Sequence, residues 1–167
     1  MTVSFKNIVA AANTISDVVV RTPTVYASEI SAALNVELYL KLEVLQRTGS
    51  FKDRGALVKL LSLTEKERRN GVIAISAGNH AQGVAYHAQR LGIPATIIMP
   101  ETTPFIKVTR TEALGARVII QGENVNAAEP FALELAKTDS PTVVHPYDDD
   151  KIINGQGTIA LELLADV

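Results

Sequence analysis

Between residues 72 and 145 the chain repeats one cadence: a short apolar run, a turn-forming residue, then a stretch of helix length. The runs are Val72-Ile73-Ala74-Ile75, Ala95-Thr96-Ile97-Ile98-Met99, 117–121 and 142–145, and the stretches between them cover 81–91, 103–114 and 125–136. Runs that do not alternate with polar residues suit strands buried on both faces, as in a parallel sheet. Parallel neighbours need a crossover, usually helical, and the crossover is right-handed. Gly92, Gly115 and Asp139-Ser140-Pro141 fall where helices end. The pattern predicts an α/β fold with an open parallel sheet and helices on both faces.

The N-terminal part reads differently. Ile8, Ala11, Ala12 and Ile15 share one face of a helix over 5–15. Val36, Leu38, Leu40 and Leu42 alternate with polar residues, which predicts a half-buried strand over 36–43. The charged stretch 66–71 reads as a surface turn. A length of 167 residues suits one domain with a sizeable core, and 47% hydrophobic with 20% charged residues is ordinary globular composition. A net charge of −2 argues against nucleic-acid and anionic-membrane partners. The apolar stretch 8–12 is broken by Asn13 and Asp17 and has no basic start, so the expected compartment is the cytoplasm. With no cysteine there is neither a disulfide nor a thiolate metal site. His80 and His87 are expected to be solvated helix residues and not zinc ligands; no metal site is predicted.

Two segments carry candidate chemistry. In Ser50-Phe51-Lys52-Asp53-Arg54-Gly55-Ala56, a lysine follows the turn Thr48-Gly49-Ser50 and opens a helix. The positive end of that helix and any burial both disfavour the ammonium form, and a neutral lysine is a nucleophile toward carbonyls. Alone, such a lysine reads as a surface residue. The second segment, Ser76-Ala77-Gly78-Asn79-His80-Ala81-Gln82-Gly83, leaves the apolar run 72–75 and enters a helix. A strand's carboxyl end followed by a helix N-terminus offers backbone N–H groups to an anion.

Together these segments resemble the pyridoxal-phosphate enzymes of the tryptophan-synthase-β-like fold (fold type II), and within them the serine/threonine dehydratases, or threonine ammonia-lyases. The resemblance runs from Thr22-Pro23-Thr24 to the end of the chain. It implies that Lys52 carries pyridoxal 5'-phosphate covalently, that Phe51 belongs to the cofactor site, and that Asn79 bonds the cofactor's phenolic oxygen. It implies further that Ser76, Ala77, Gly78, Asn79 and His80 receive the substrate carboxylate. The implied reaction is deamination of L-threonine or L-serine to 2-oxobutyrate or pyruvate and ammonia, with a free amino acid as partner and a homo-oligomeric assembly. Members of the family have two domains; here 1–49 would begin the larger one, 50–146 would form the smaller one, and 147–167 would return to the larger.

The sequence also departs from the family pattern. Asp53 stands where dehydratases often have an apolar residue, as it does in relatives that replace a β-substituent; those relatives carry threonine where His80 stands. Racemases of the group place a serine at the position of Ala77, and alanine has no proton to give. The family's phosphate-cradling glycine loop, its Ser or Cys against the pyridine nitrogen and its acidic metal site normally lie past the position of Val167, so cofactor binding by these residues alone is expected to be weak. A catalytically silent half-enzyme that associates with a partner, and a β-replacement synthase, are therefore alternatives. Gly155-Gln156-Gly157-Thr158-Ile159-Ala160 fits a dinucleotide fingerprint but follows no clear strand, and it reads as a helix start with close backbone packing. Asp148-Asp149-Asp150 reads as negative charge at the start of the closing helix.

Overall fold

A computed structural model describes residues 2–167. Four parallel strands, β3 (Val72–Ile75), β4 (Ala95–Met99), β5 (Arg117–Ile120) and β6 (Thr142–Val143), lie in the order β5-β4-β3-β6. The chain leaves β3 in one direction through α5 (Asn79–Leu91) to β4 and α6 (Phe105–Ala113) to β5. Through α7 (Val125–Asp139) it then crosses back over the sheet to β6, on the other side of β3. With every crossover right-handed, reversing direction moves the helix to the opposite face. The carboxyl ends of β3 and β6 therefore flank the topological switch point, where open α/β sheets bind ligands.

Side-chain alternation along the strands fills both faces. Val72, Ala74, Ile97 and Met99 meet Ala56 and Leu60 of α3 (Lys52–Leu61) and Val84, Ala85 and Ala88 of α5. Ile73 and Ile98 point the other way, onto Ala128 and Ala132 of α7. Full burial of each isoleucine contributes about 1.5–3 kcal/mol, which accounts for the continuous apolar runs. The expected parallel sheet, its helices on both faces and its strand order of appearance are all present.

Helix α3 is deeply enclosed, with every residue from Asp53 to Val58 buried. It packs against α5 on one side and α8 (Asp150–Asp166) on another. Glycines allow both approaches. A Cβ on Gly155 of α8 would lie 2.6 Å from Gly55 Cα and 2.8 Å from Arg54 O. A Cβ on Gly83 of α5 would lie 3.2 Å from Lys52 O. Arg54, fully buried, splits its guanidinium between Glu43 (Nε–H to Oε2 2.9 Å, Nη2–H to Oε1 2.8 Å) and Glu162 (Nη1–H to Oε1 2.6 Å, Nη2–H to Oε2 3.0 Å). Burial works against ionised Glu43, but hydrogen bonds from Arg54 and Thr22 outweigh it and hold the carboxyl below its usual range.

The N-terminal helix α1 (Phe5–Ile15) matches its expected bounds, and its Ala11 and Ile15 pack on Leu57 and Val58 of α3. Elsewhere the structure corrects the sequence reading. The strand expected over 36–43 shrinks to β2 (Tyr39–Lys41), paired antiparallel with β1 (Thr24–Tyr26). Val36 and Leu40 are exposed, because a two-stranded ribbon has no second layer on this face among the described residues. A short helix, α2 (Ser28–Leu34), precedes it, where no element was expected. The supposed surface turn is α4 (Glu65–Asn70), started by a reciprocal capping box between Thr64 and Glu67. The glycine-rich stretch 155–160 lies inside α8, not at a helix start, although the close backbone packing is real. Asp149 does cap α8, accepting from the Lys151 and Ile152 N–H groups while pairing with Lys59.

Replacing Gly155 with alanine would force α3 and α8 apart. Gly155→Ala is expected to destabilise the fold by about 1–3 kcal/mol, read as a lower urea midpoint at unchanged slope; an unchanged midpoint would show that the helices yield without cost.

Candidate functional site

Lys52 opens α3 beside the switch point. Its backbone N–H donates to Ser50 Oγ (3.3 Å), and its ammonium donates to the carbonyl of Pro146, just past β6 (2.6 Å). The Nζ atom also lies 5.2 Å from the centre of the Phe51 ring. Burial pushes the Lys52 pKa down, the direction that frees a lone pair. Phe51 and Asn79 line one open groove of about 330 Å³ together with Leu40–Val44, Gly49 and Ser50.

The loop after β3 forms the other wall. Ser76 Oγ accepts from the Gly78 N–H (3.2 Å) and the Ala81 N–H (3.3 Å), so the hydroxyl caps α5. Two helix-start N–H groups, those of Asn79 and His80, have no acceptor among the described residues. A Cβ placed on Gly78 would meet nothing within 4 Å, so the space above this turn is open. Free donors at a helix N-terminus favour an anion. The Gly78 amide, expected to take part, is already bound to Ser76.

The histidines behave differently from expectation. His80 and His87 are both buried, not solvated, because α5 lays this face against α3 and the sheet. The His80 ring turns away from the loop, and Nε2–H donates to Val144 O (3.0 Å). Burial pushes both imidazoles down to about 4. Sequence reasoning also missed the Pro146 carbonyl and the engagement of Asp53 by Thr48, since neither contact leaves a local pattern. A second recess of about 330 Å³ between α1 and α8 holds no lysine, and its Arg21 and Arg54 are already paired with carboxylates.

An amine that burial drives toward neutrality and free helix-start amides, both near the carboxyl ends of the paired strands β3 and β6, would suit a carbonyl-bearing, anionic ligand in an open α/β fold. The comparisons identify the class. Residues 15–167 match the family described as pyridoxal-phosphate dependent enzyme, and the chain belongs to that family. It is 48% identical over 165 residues to an L-threonine ammonia-lyase of Thermotoga maritima, covering 99% of this chain and 41% of that protein. Among solved structures, a processed threonine deaminase isoform 2 of Solanum lycopersicum superposes with a TM-score of 0.90 at 41% identity, over 98% of this chain and 48% of that one. A serine racemase of Dictyostelium discoideum gives 0.92 at 36% identity, over 100% of this chain and 54% of that one. The chain thus spans about half the length of the relatives it matches.

The depressed histidines set a pH dependence. Each is neutral when folded and takes up a proton below about 6.5 when unfolded, so the unfolded state binds more protons between there and about 4. Stability present above this window is lost as pH falls through it, by about 1.4 kcal/mol per pH unit for each histidine. Urea unfolding across the window should show this slope, and His87→Gln should halve it.

Proposed function

We propose that the groove at the starts of α3 and α5 serves the deamination of L-threonine or L-serine, giving 2-oxobutyrate or pyruvate and ammonia, in a protein that uses pyridoxal 5'-phosphate. The observation that carries this reading is the partly buried Lys52 amine, held on the carbonyl just past β6, with the unpaired Asn79 and His80 amides beyond the carboxyl end of neighbouring β3. These residues fit the cofactor: an amine to hold its carbonyl carbon, the Phe51 ring and the Asn79 amide along one groove, and open space above Gly78. When bound, pyridoxal phosphate withdraws electrons from the substrate's α carbon.

The chain's own residues supply position and proton transfer. Lys52 would hold the cofactor and, with its Nζ free, would take the α-proton; the neutral Pro146 carbonyl holds that nitrogen without fixing it as an ammonium. The free N–H groups of Asn79 and His80 orient the substrate carboxylate, and Ser76 holds the Ser76–Gly78 turn in shape for them. Ala77 offers no proton to the opposite face, which favours elimination over racemisation. The names of the threonine ammonia-lyase and threonine deaminase relatives support the substrate class. The division into residues 1–49, 50–146 and 147–167, a cytoplasmic setting and a homo-oligomeric assembly belong to the same proposal. The exposed Tyr26, Val44 and Leu45 support association.

Ammonia release from L-threonine and L-serine, with pyridoxal phosphate supplied, tests the reading. Lys52→Ala is expected to lower turnover by about 10²–10⁴-fold, and undiminished release would remove Lys52 from the mechanism. Incorporation of added thiol in place of ammonia-linked elimination would favour the β-replacement alternative.

A further inference from the structure

Asp53 follows Lys52 in sequence, is wholly buried, and has no task in the reaction proposed above. Both of its carboxylate oxygens are engaged by one residue. Oδ2 accepts the Thr48 N–H at 3.0 Å, and Oδ1 accepts the Thr48 hydroxyl at 2.5 Å. From α5, the equally buried His87 brings Nε2 to 3.8 Å from Oδ1, and neither of its ring nitrogens has a hydrogen-bond partner among the described residues. Burial raises the Asp53 pKa against the bonds from Thr48, and Glu43 adds to the rise. A carboxyl held here is costly, whereas an apolar side chain of the same size would fill the position at no such cost. Mere packing therefore does not account for it.

The geometry connects it to the lysine. Thr48 begins the turn Thr48-Gly49-Ser50, in which Gly49 takes the left-handed φ of 77° and Ser50 Oγ receives the Lys52 N–H. The bonds from Asp53 back to Thr48 close this turn into a ring with Lys52 inside it. We infer that Asp53 is a positioning residue: through its two bonds to Thr48 it fixes the turn that aims Lys52. The inference rests on the proposed role of Lys52, but part of its test does not.

The experiment compares Thr48→Val, Thr48→Ser and Asp53→Asn with the unchanged protein. Backbone amide exchange at Lys52 reports on the turn without any cofactor, while borohydride trapping of pyridoxal phosphate, mapped by mass, reports the share of label on Lys52. Thr48→Val and Asp53→Asn are expected to speed exchange at Lys52 and to reduce its share of label, each by about tenfold, the loss of one hydrogen bond to a charged group. Thr48→Ser, which keeps the hydroxyl, should restore both. In the assay of ammonia release the deficit should fall on kcat with KM little changed. Exchange that is unchanged in Thr48→Val, or a Thr48→Ser variant as impaired as Thr48→Val, overturns the inference. Label that avoids Lys52 in the unchanged protein would instead defeat the proposed function, with the exchange data still deciding whether Asp53 holds the turn.

Discussion

Arg54 and its two glutamates fix how helix α3 is turned about its own axis. A guanidinium keeps its charge at any accessible pH and binds carboxylates through a planar fork, so burying one requires partners placed in matching planes. Glu43, from the turn after β2, and Glu162, from α8, meet that requirement, and Thr158 adds a further acceptor at 3.1 Å. Removing either glutamate would leave the other to hold the charge but would strip two bonds from the buried fork, at a cost of about 1.5–3 kcal/mol for each bond to a charged group. Consecutive helix residues are rotated by about 100°. With Arg54 committed to the Glu43 and Glu162 side, Asp53 is directed to Thr48 and His87, and Lys52 is left facing the cleft.

The same arrangement suits the chemistry proposed for Lys52. A carboxylate beside Lys52 would favour its ammonium form, yet the acids nearest α3 are occupied: Glu43 and Glu162 by Arg54, Asp149 by Lys59. Lys52 itself meets a neutral carbonyl, and burial alone sets the direction of its shift. Ion pairs around α3 thus occupy these carboxylates and leave the Lys52 amine on a neutral carbonyl, which suits the role proposed for it.

What could be read in the sequence follows from how local each signal is. The strands 72–75 and 95–99 came out at their observed bounds because a run buried on both faces has to be apolar at every position. Helix α1 was equally plain, since its apolar residues recur at helical spacing. The capping box of α4 is spelled out in Thr64 and Glu67, but the reading of 66–71 as a turn rested on its charge alone. The alternation over 36–43 misled, because alternation reports one face but not whether a layer covers it. Lys52, Asn79 and the Ser76–His80 loop were visible as a motif pair, whereas the burial of His80 and His87 was not. That burial depends on which face α5 turns to α3, a fact set by residues some thirty positions away.

Glu162 lies 108 residues beyond Arg54, and the two are bonded within a buried cluster. Contacts so distant along the chain form late, since a long loop must close before they return any stability. During synthesis the lysine-bearing helix would emerge and coil early, yet its lasting orientation would wait for α8 to dock. Until then, a fully charged guanidinium would keep the inner flank of α3 hydrated, delaying premature collapse of the half-built cleft.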